Sequence, residues 1–169
     1  MNLQEMLESS ILLNRQIEYN KQINWTADNR LQNAYVALDV ELSEVANTAE
    51  WFKVWKENRG KHDENRTNRE TLIFEYVDVI YFYMLIANLK NWNRVITDSQ
   101  EKIGKLKLAK KEVILNKQYL AIKQMLFNSY FNKDMDAFKH SWMLFLKLGI
   151  VDFGFSEEEI TQAFNEKIK

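Results

Sequence analysis

The chain has 169 residues, of which 46% are hydrophobic and 13% aromatic, and its formal net charge is −1. These values fit one globular domain able to bury a core and exclude a disordered chain, and they give no electrostatic reason to expect a nucleic acid or an anionic membrane as partner. With no cysteine there are no disulfides, zinc thiolates or thiol nucleophiles, and with no proline and only 4 glycines there are few turn residues for a many-stranded sheet, so an all-α fold is expected.

The N-terminus carries acids early and has no basic start ahead of an apolar run, so no signal peptide is expected. Apolar periodicity predicts a first helix over residues 3–23, a turn over 24–28 and a second helix over 30–56. Residues 58–69, dense in charge and amide and containing Gly60, read as an exposed loop. A third helix follows over 70–90. Its stretch 72–89 is apolar enough to raise the question of a membrane span, but it is at the short limit for one and carries Glu75 and Asp78. The expectation is therefore a buried helix of a soluble, cytoplasmic protein. A connector over 91–99 leads to a fourth helix over 100–127, weakened early by Gly104, and a fifth over 134–148. After a break between Gly149 and Gly154, Ser156-Glu-Glu-Glu159 has the form of a capping box and starts a final helix.

Carboxylates sit on the wrong faces of the second and third helices. At about 100° per residue, Glu41 falls among Leu38, Val45, Thr48 and Phe52, with Glu44 and Trp55 on the flank of that face. Asp39, Ser43, Asn47 and Glu50 project to the far, polar side. On the third helix Glu75 lies among Leu72, Phe74, Tyr76 and Val79, and Asp78 among Phe74, Tyr81, Phe82 and Leu85. That helix is apolar on nearly every side, the mark of a central element.

Burying a carboxylate is costly unless it is paired or holds a cation, and two acids on one face repel each other. The basic residues of the second helix, Arg30, Lys53 and Lys56, do not lie beside Glu41 and Glu44. A divalent ion is the economical compensation, and an all-oxygen donor set suits Mg²⁺ or Mn²⁺. Mg²⁺ held by few carboxylates keeps positions for phosphate oxygens, which points to nucleotide or phosphate-ester chemistry. A di-iron bundle would need Glu-x-x-His, and neither His62 nor His140 stands three residues after a Glu. His62-Asp63 in the charged loop reads as solvated, and His140 as a helix-surface residue.

Glu41-x-x-Glu44 followed by Glu75-x-x-Asp78 resembles the signature of the all-α NTP pyrophosphatase superfamily, which includes the MazG-type pyrophosphohydrolases. Within it the chain is similar to the dimeric dUTPases, especially those of phages of Gram-positive bacteria. Three further stretches carry that likeness: Gln16-Ile-Glu-Tyr-Asn20, Trp51-Phe-Lys-Val-Trp55-Lys56 and Phe164-Asn-Glu-Lys167.

The resemblance implies a four-helix core with additional C-terminal helices. It also implies hydrolysis of dUTP to dUMP and pyrophosphate, Mg²⁺ held by Glu41, Glu44, Glu75 and Asp78, and a homodimer. Gln16 and Asn20 would read the uracil edge, Trp55 would pack on base or sugar, and Lys56 and Lys167 would meet phosphate. The Asn and Arg that follow the family's lysine have no counterpart among the residues up to Lys169. Residues 91–155 correspond to the family's variable segment. Here it contains Lys102, Lys105, Lys107, Lys110 and Lys111, either a solvated helix face or a surface for a protein partner such as a repressor. Two other readings stay open at this point: a pyrophosphohydrolase of the same fold for another nucleotide, and a protein-binding member of that fold.

Overall fold

The computed structural model describes residues 1–169 and is all-helical: α1 (Leu3–Asn20), α2 (Ala27–Ala49), α3 (Asn68–Leu89), α4 (Asn93–Thr97), α5 (Ile103–Leu106), α6 (Leu115–Phe131), α7 (Met135–Lys147) and α8 (Glu157–Ile168). A 3₁₀ turn, Gln100–Lys102, precedes α5, and a π turn, Leu148–Asp152, follows α7. Five of the six long helices begin where a short polar side chain caps them, α6 being the exception. Asn2, Thr26, Thr67, Asp134 and Ser156 each accept from a backbone N–H in the first turn, and Thr67 with Glu70, like Ser156 with Glu159, closes a full capping box.

Helix α3 is the central element. Tyr76, Val79, Ile80, Tyr83 and Met84 are all fully buried, each such side chain contributing roughly 1.5–3 kcal/mol of transfer free energy. By length and composition α3 is apolar enough to cross a membrane, but 61% of its most apolar window is buried inside this protein. On one side it packs against α2. Asn68 Nδ2 donates to the Thr48 carbonyl at 3.0 Å, so the start of α3 meets the end of α2 and the two run antiparallel. On another side Tyr76 stacks on Phe145 of α7 (4.5 Å between ring centroids, 19° between planes), and the Tyr83 hydroxyl bonds Ser141 at 2.6 Å. Trp142, sealed beside them, donates its indole N–H to Ser99 Oγ at 2.9 Å. Helices α1 and α8 close the remaining flank, and one hydrophobic cluster reaches from Leu3 to Phe164.

Two expected helices are corrected. The second ends at Ala49, seven residues short, because Glu50 adopts a left-handed conformation (φ 54°). Glu50 was expected on the solvated side, yet its carboxylate is fully buried. It accepts from Lys53 Nζ (2.8 Å), Lys56 Nζ (2.6 Å) and the Gly60 N–H (3.0 Å), and these bonds hold its pKa down to about 2. The expected fourth helix, 100–127, is broken into the 3₁₀ turn, α5, an open stretch and α6. The break is fixed from outside: Asp152 of the π turn accepts from the Glu112 N–H (2.7 Å), Gln118 Nε2 (2.8 Å) and Lys147 Nζ (3.0 Å).

Candidate functional site

The antiparallel α2–α3 pair sets Glu41 opposite Glu75 and Asp78. All three are half-buried, and a carboxylate oxygen from each lies within 4.8 Å of the others. The periodicity that put these acids among apolar neighbours thus describes a real cluster. Glu44 belongs to it only at a distance. Its side chain is exposed, accepts from Asn47 Nδ2 at 3.5 Å, and is absent from the close triad. Its charge still weighs on both Glu41 and Glu75. Asp63, in the loop ahead of α3, also acts on Glu75.

Burial raises the pKa of all three carboxyls, and neighbouring negative charge adds to the rise for Glu41 and Glu75. Glu41 is pushed up to about 7, first by burial and then by the charges of Asp78 and Glu75. Glu75 is raised by burial and by Asp78, and Asp78 by burial. The opposing charge that acts on all three is that of Lys167, on the last turn of α8, whose ammonium bonds Asp78. That partner stands 89 residues away in sequence. Three hard oxygen donors converging from two helices fit a divalent cation.

Beside the triad opens a cavity of about 370 Å³ between α1, α3 and α8. Leu13, Ile17, Val77, Tyr81, Phe82, Phe164 and Ile168 give it apolar walls, and Glu41, Asp78 and Lys167 form its charged end. This combination of apolar walls and a few convergent polar groups is that of a ligand site. A larger depression of about 640 Å³ lies at the start of α3, where Arg69 is bound to Glu159 at 2.8 Å, and Glu70 to its cap.

The other expected contacts divide. Lys167 is at the cavity. Gln16 and Asn20 are exposed on α1, the helix that supplies Leu13 and Ile17, and neither lines the cavity. Trp55 is 72% exposed in the loop after α2, and Lys56 is tied to Glu50. Neither lines the cavity. His62 and His140 are both exposed, as expected.

Sequence reading missed the polar string behind the cavity wall. The Tyr81 hydroxyl donates to Asn14 Oδ1 (3.5 Å), Asn14 Nδ2 donates to Glu18 (3.1 Å), and Glu18 pairs with Arg30 (3.0 Å), joining α3, α1 and α2. The i, i+4 spacing of Asn14 and Glu18 was its one legible trace.

A comparison with curated proteins found no match, whereas the family model described as dUTPase matches residues 2–169. The chain therefore belongs to the all-α dUTPase family, and its activity is that of a dUTP pyrophosphatase.

Proposed function

We propose that this dUTPase is Mg²⁺-dependent and that Glu41, Glu75 and Asp78 are its metal-holding acids, with Glu44 completing the set from the flank. The observation that carries this reading is the triad itself: three half-buried carboxylates within 4.8 Å at the end of an apolar cavity. When bound, the metal would supply charge neutralisation for the phosphates and a lowered pKa for a coordinated water. The chain's own residues supply the rest. Apolar walls from α1, α3 and α8 take the nucleoside and exclude water. Lys167 meets a phosphate oxygen, and Gln16 and Asn20, at the outer end of α1, read the uracil edge through paired amide donors and acceptors. Trp55 and Lys56 extend the nucleotide contact from the loop after α2. A carboxylate oxygen of Glu41 accepts the proton of the attacking water. The water oxygen bonds phosphorus, the P–O bond to the leaving pyrophosphate breaks, and dUTP + H₂O becomes dUMP + pyrophosphate.

The exposed apolar residues Val36, Val40, Leu120, Phe127 and Phe131 support a homodimer, to be checked by light scattering on the eluting protein. Exposed Leu108, Val113 and Ile114 beside the lysines of that stretch support a protein partner such as a repressor. The expected setting is the cytoplasm, that of the host if the chain is phage-encoded.

The test is pyrophosphate release from a panel of dNTPs and NTPs, with Mg²⁺ and with chelator. Turnover confined to dUTP and abolished by chelator is expected, and Glu75→Gln should lower the rate by about two orders of magnitude or more in a folded protein. Near-normal turnover in that variant would remove the acids from the mechanism. Turnover of another nucleotide would replace the uracil reading with that of a related pyrophosphohydrolase.

A further inference from the structure

We infer that Lys167 is a built-in stand-in for the metal: its ammonium holds Asp78 in the empty protein and leaves it for a phosphate oxygen once a divalent cation occupies the acids. The inference rests on the reading of Glu41, Glu75 and Asp78 as metal ligands, and it adds an order of loading to that site.

The charges at the site are lopsided. Glu41, Glu75 and Asp78 form the cluster, Glu44 and Asp63 press on it from α2 and from the loop before α3, and Lys167 is the cation in contact. An acidic nest of this kind is relieved by a cation or by protons, and Lys167 supplies the cation whenever no ion does. An ammonium and a divalent ion cannot share Asp78 without strong repulsion across a few ångströms. Entry of one therefore expels the other.

The anatomy of α8 permits that exchange. Its first turn is pinned by the Ser156–Glu159 capping box, by Arg69 on Glu159 at 2.8 Å, and by Lys107 and the Met1 ammonium on Glu157. Its last turn is held more lightly. Lys167 is 43% exposed and its polar contact is Asp78, while Phe164 and Ile168 rest on the cavity wall. A lysine on a four-carbon stem with three rotatable donors can swing from the carboxylate to a neighbouring phosphate without moving the pinned end. The same side chain thus opposes metal binding when the site is empty of nucleotide and favours nucleotide binding afterwards.

The experiment is a Mn²⁺ titration of the nucleotide-free protein, with free Mn²⁺ read by electron paramagnetic resonance, for wild type, Lys167→Met, Lys167→Arg and Glu75→Gln. A second titration uses a non-hydrolysable dUTP analogue in the presence of Mn²⁺. Lys167→Met should bind Mn²⁺ about tenfold more tightly, equivalent to about 1.4 kcal/mol, and bind the analogue more weakly. Lys167→Arg should behave nearly as wild type in the first titration. Unchanged or weaker Mn²⁺ binding by Lys167→Met, with binding lost in Glu75→Gln, overturns the stand-in role and leaves the metal site intact. Equal Mn²⁺ binding by wild type and Glu75→Gln overturns both.

Discussion

Gly149 is the most tightly enclosed glycine of the chain, and replacing it with alanine is a severe test of the core. It lies in the π turn after α7, and nothing in its φ requires glycine. Space does. An added Cβ would stand 2.1 Å from Tyr76 Cζ, 2.3 Å from Cε2 and 2.4 Å from the hydroxyl oxygen. Ordinary contact begins at 3.4 Å, so 3.4 − 2.1 = 1.3 Å must open. The Tyr76 ring cannot retreat, because it is fully buried, stacked on Phe145 at 4.5 Å and tilted against Phe155 at 5.5 Å. Overpacking of this kind costs roughly 1–3 kcal/mol, and the enclosure places Gly149→Ala at the upper end. For a chain of this size about 3 kcal/mol lowers Tm by roughly 6–12 °C. Thermal melts by far-UV circular dichroism measure it. Tyr76→Val would remove the obstacle while leaving a gap, so the double variant should be less destabilised than the two single changes summed, by about 1–3 kcal/mol. A Gly149→Ala melt within about 2 °C of wild type, or strict additivity in the cycle, would show that the Tyr76–Gly149 approach does not constrain the fold.

Three more expectations follow from the same geometry. Glu41 has its pKa raised from 4.5 to about 7, so the folded state binds that proton more tightly than the unfolded chain, and the group weakens the metal-free fold progressively as pH rises through that window. Glu41→Gln should therefore gain Tm over wild type across the window and level off above it; a gain that is constant with pH, or that shrinks, would contradict the assignment. Glu50→Ala leaves Lys53, Lys56 and the Gly60 N–H without their shared acceptor, and amide exchange at Gly60 should accelerate by at least about tenfold while amides in the middle of α3 keep their protection. Thr67→Ala opens the capping box of α3 and should cost about 1 kcal/mol, or roughly 2–4 °C in Tm; an unchanged melt would mean that packing alone sets where α3 begins.

The acids were legible because burial and charge conflict in the sequence itself. Glu75 and Asp78 stand in a run so apolar that no helical face is left for them, and Glu41 follows from the same arithmetic on α2. The arithmetic could not rank Glu44, which lies only about 60° from Glu41 yet is exposed. Nor could it find Lys167, because an ion pair across 89 residues leaves no local pattern. The start of α8 was readable from its capping box, which is local chemistry, whereas α3 was expected from residue 70 and its box, Thr67 with Glu70, starts it at Asn68. The end of α2 was not readable: residues 50–56 hold no glycine or proline to mark a stop, and the helix ends before Glu50, whose carboxylate finds two lysines and a loop N–H. The break inside the expected fourth helix has the same origin, in the bonds that Asp152 makes to residues 112 and 118.

The tryptophans also give the protein its own optical reporters. Trp142 is sealed in the core with its indole N–H on Ser99, while Trp55 stands 72% exposed in the loop that Glu50 ties down. Emission from the first should be blue-shifted and shielded from acrylamide, and emission from the second red-shifted and readily quenched. Global unfolding should therefore appear as a red shift of the shielded emission and its loss of protection from acrylamide, so the protein reports the opening of its own core without an added label.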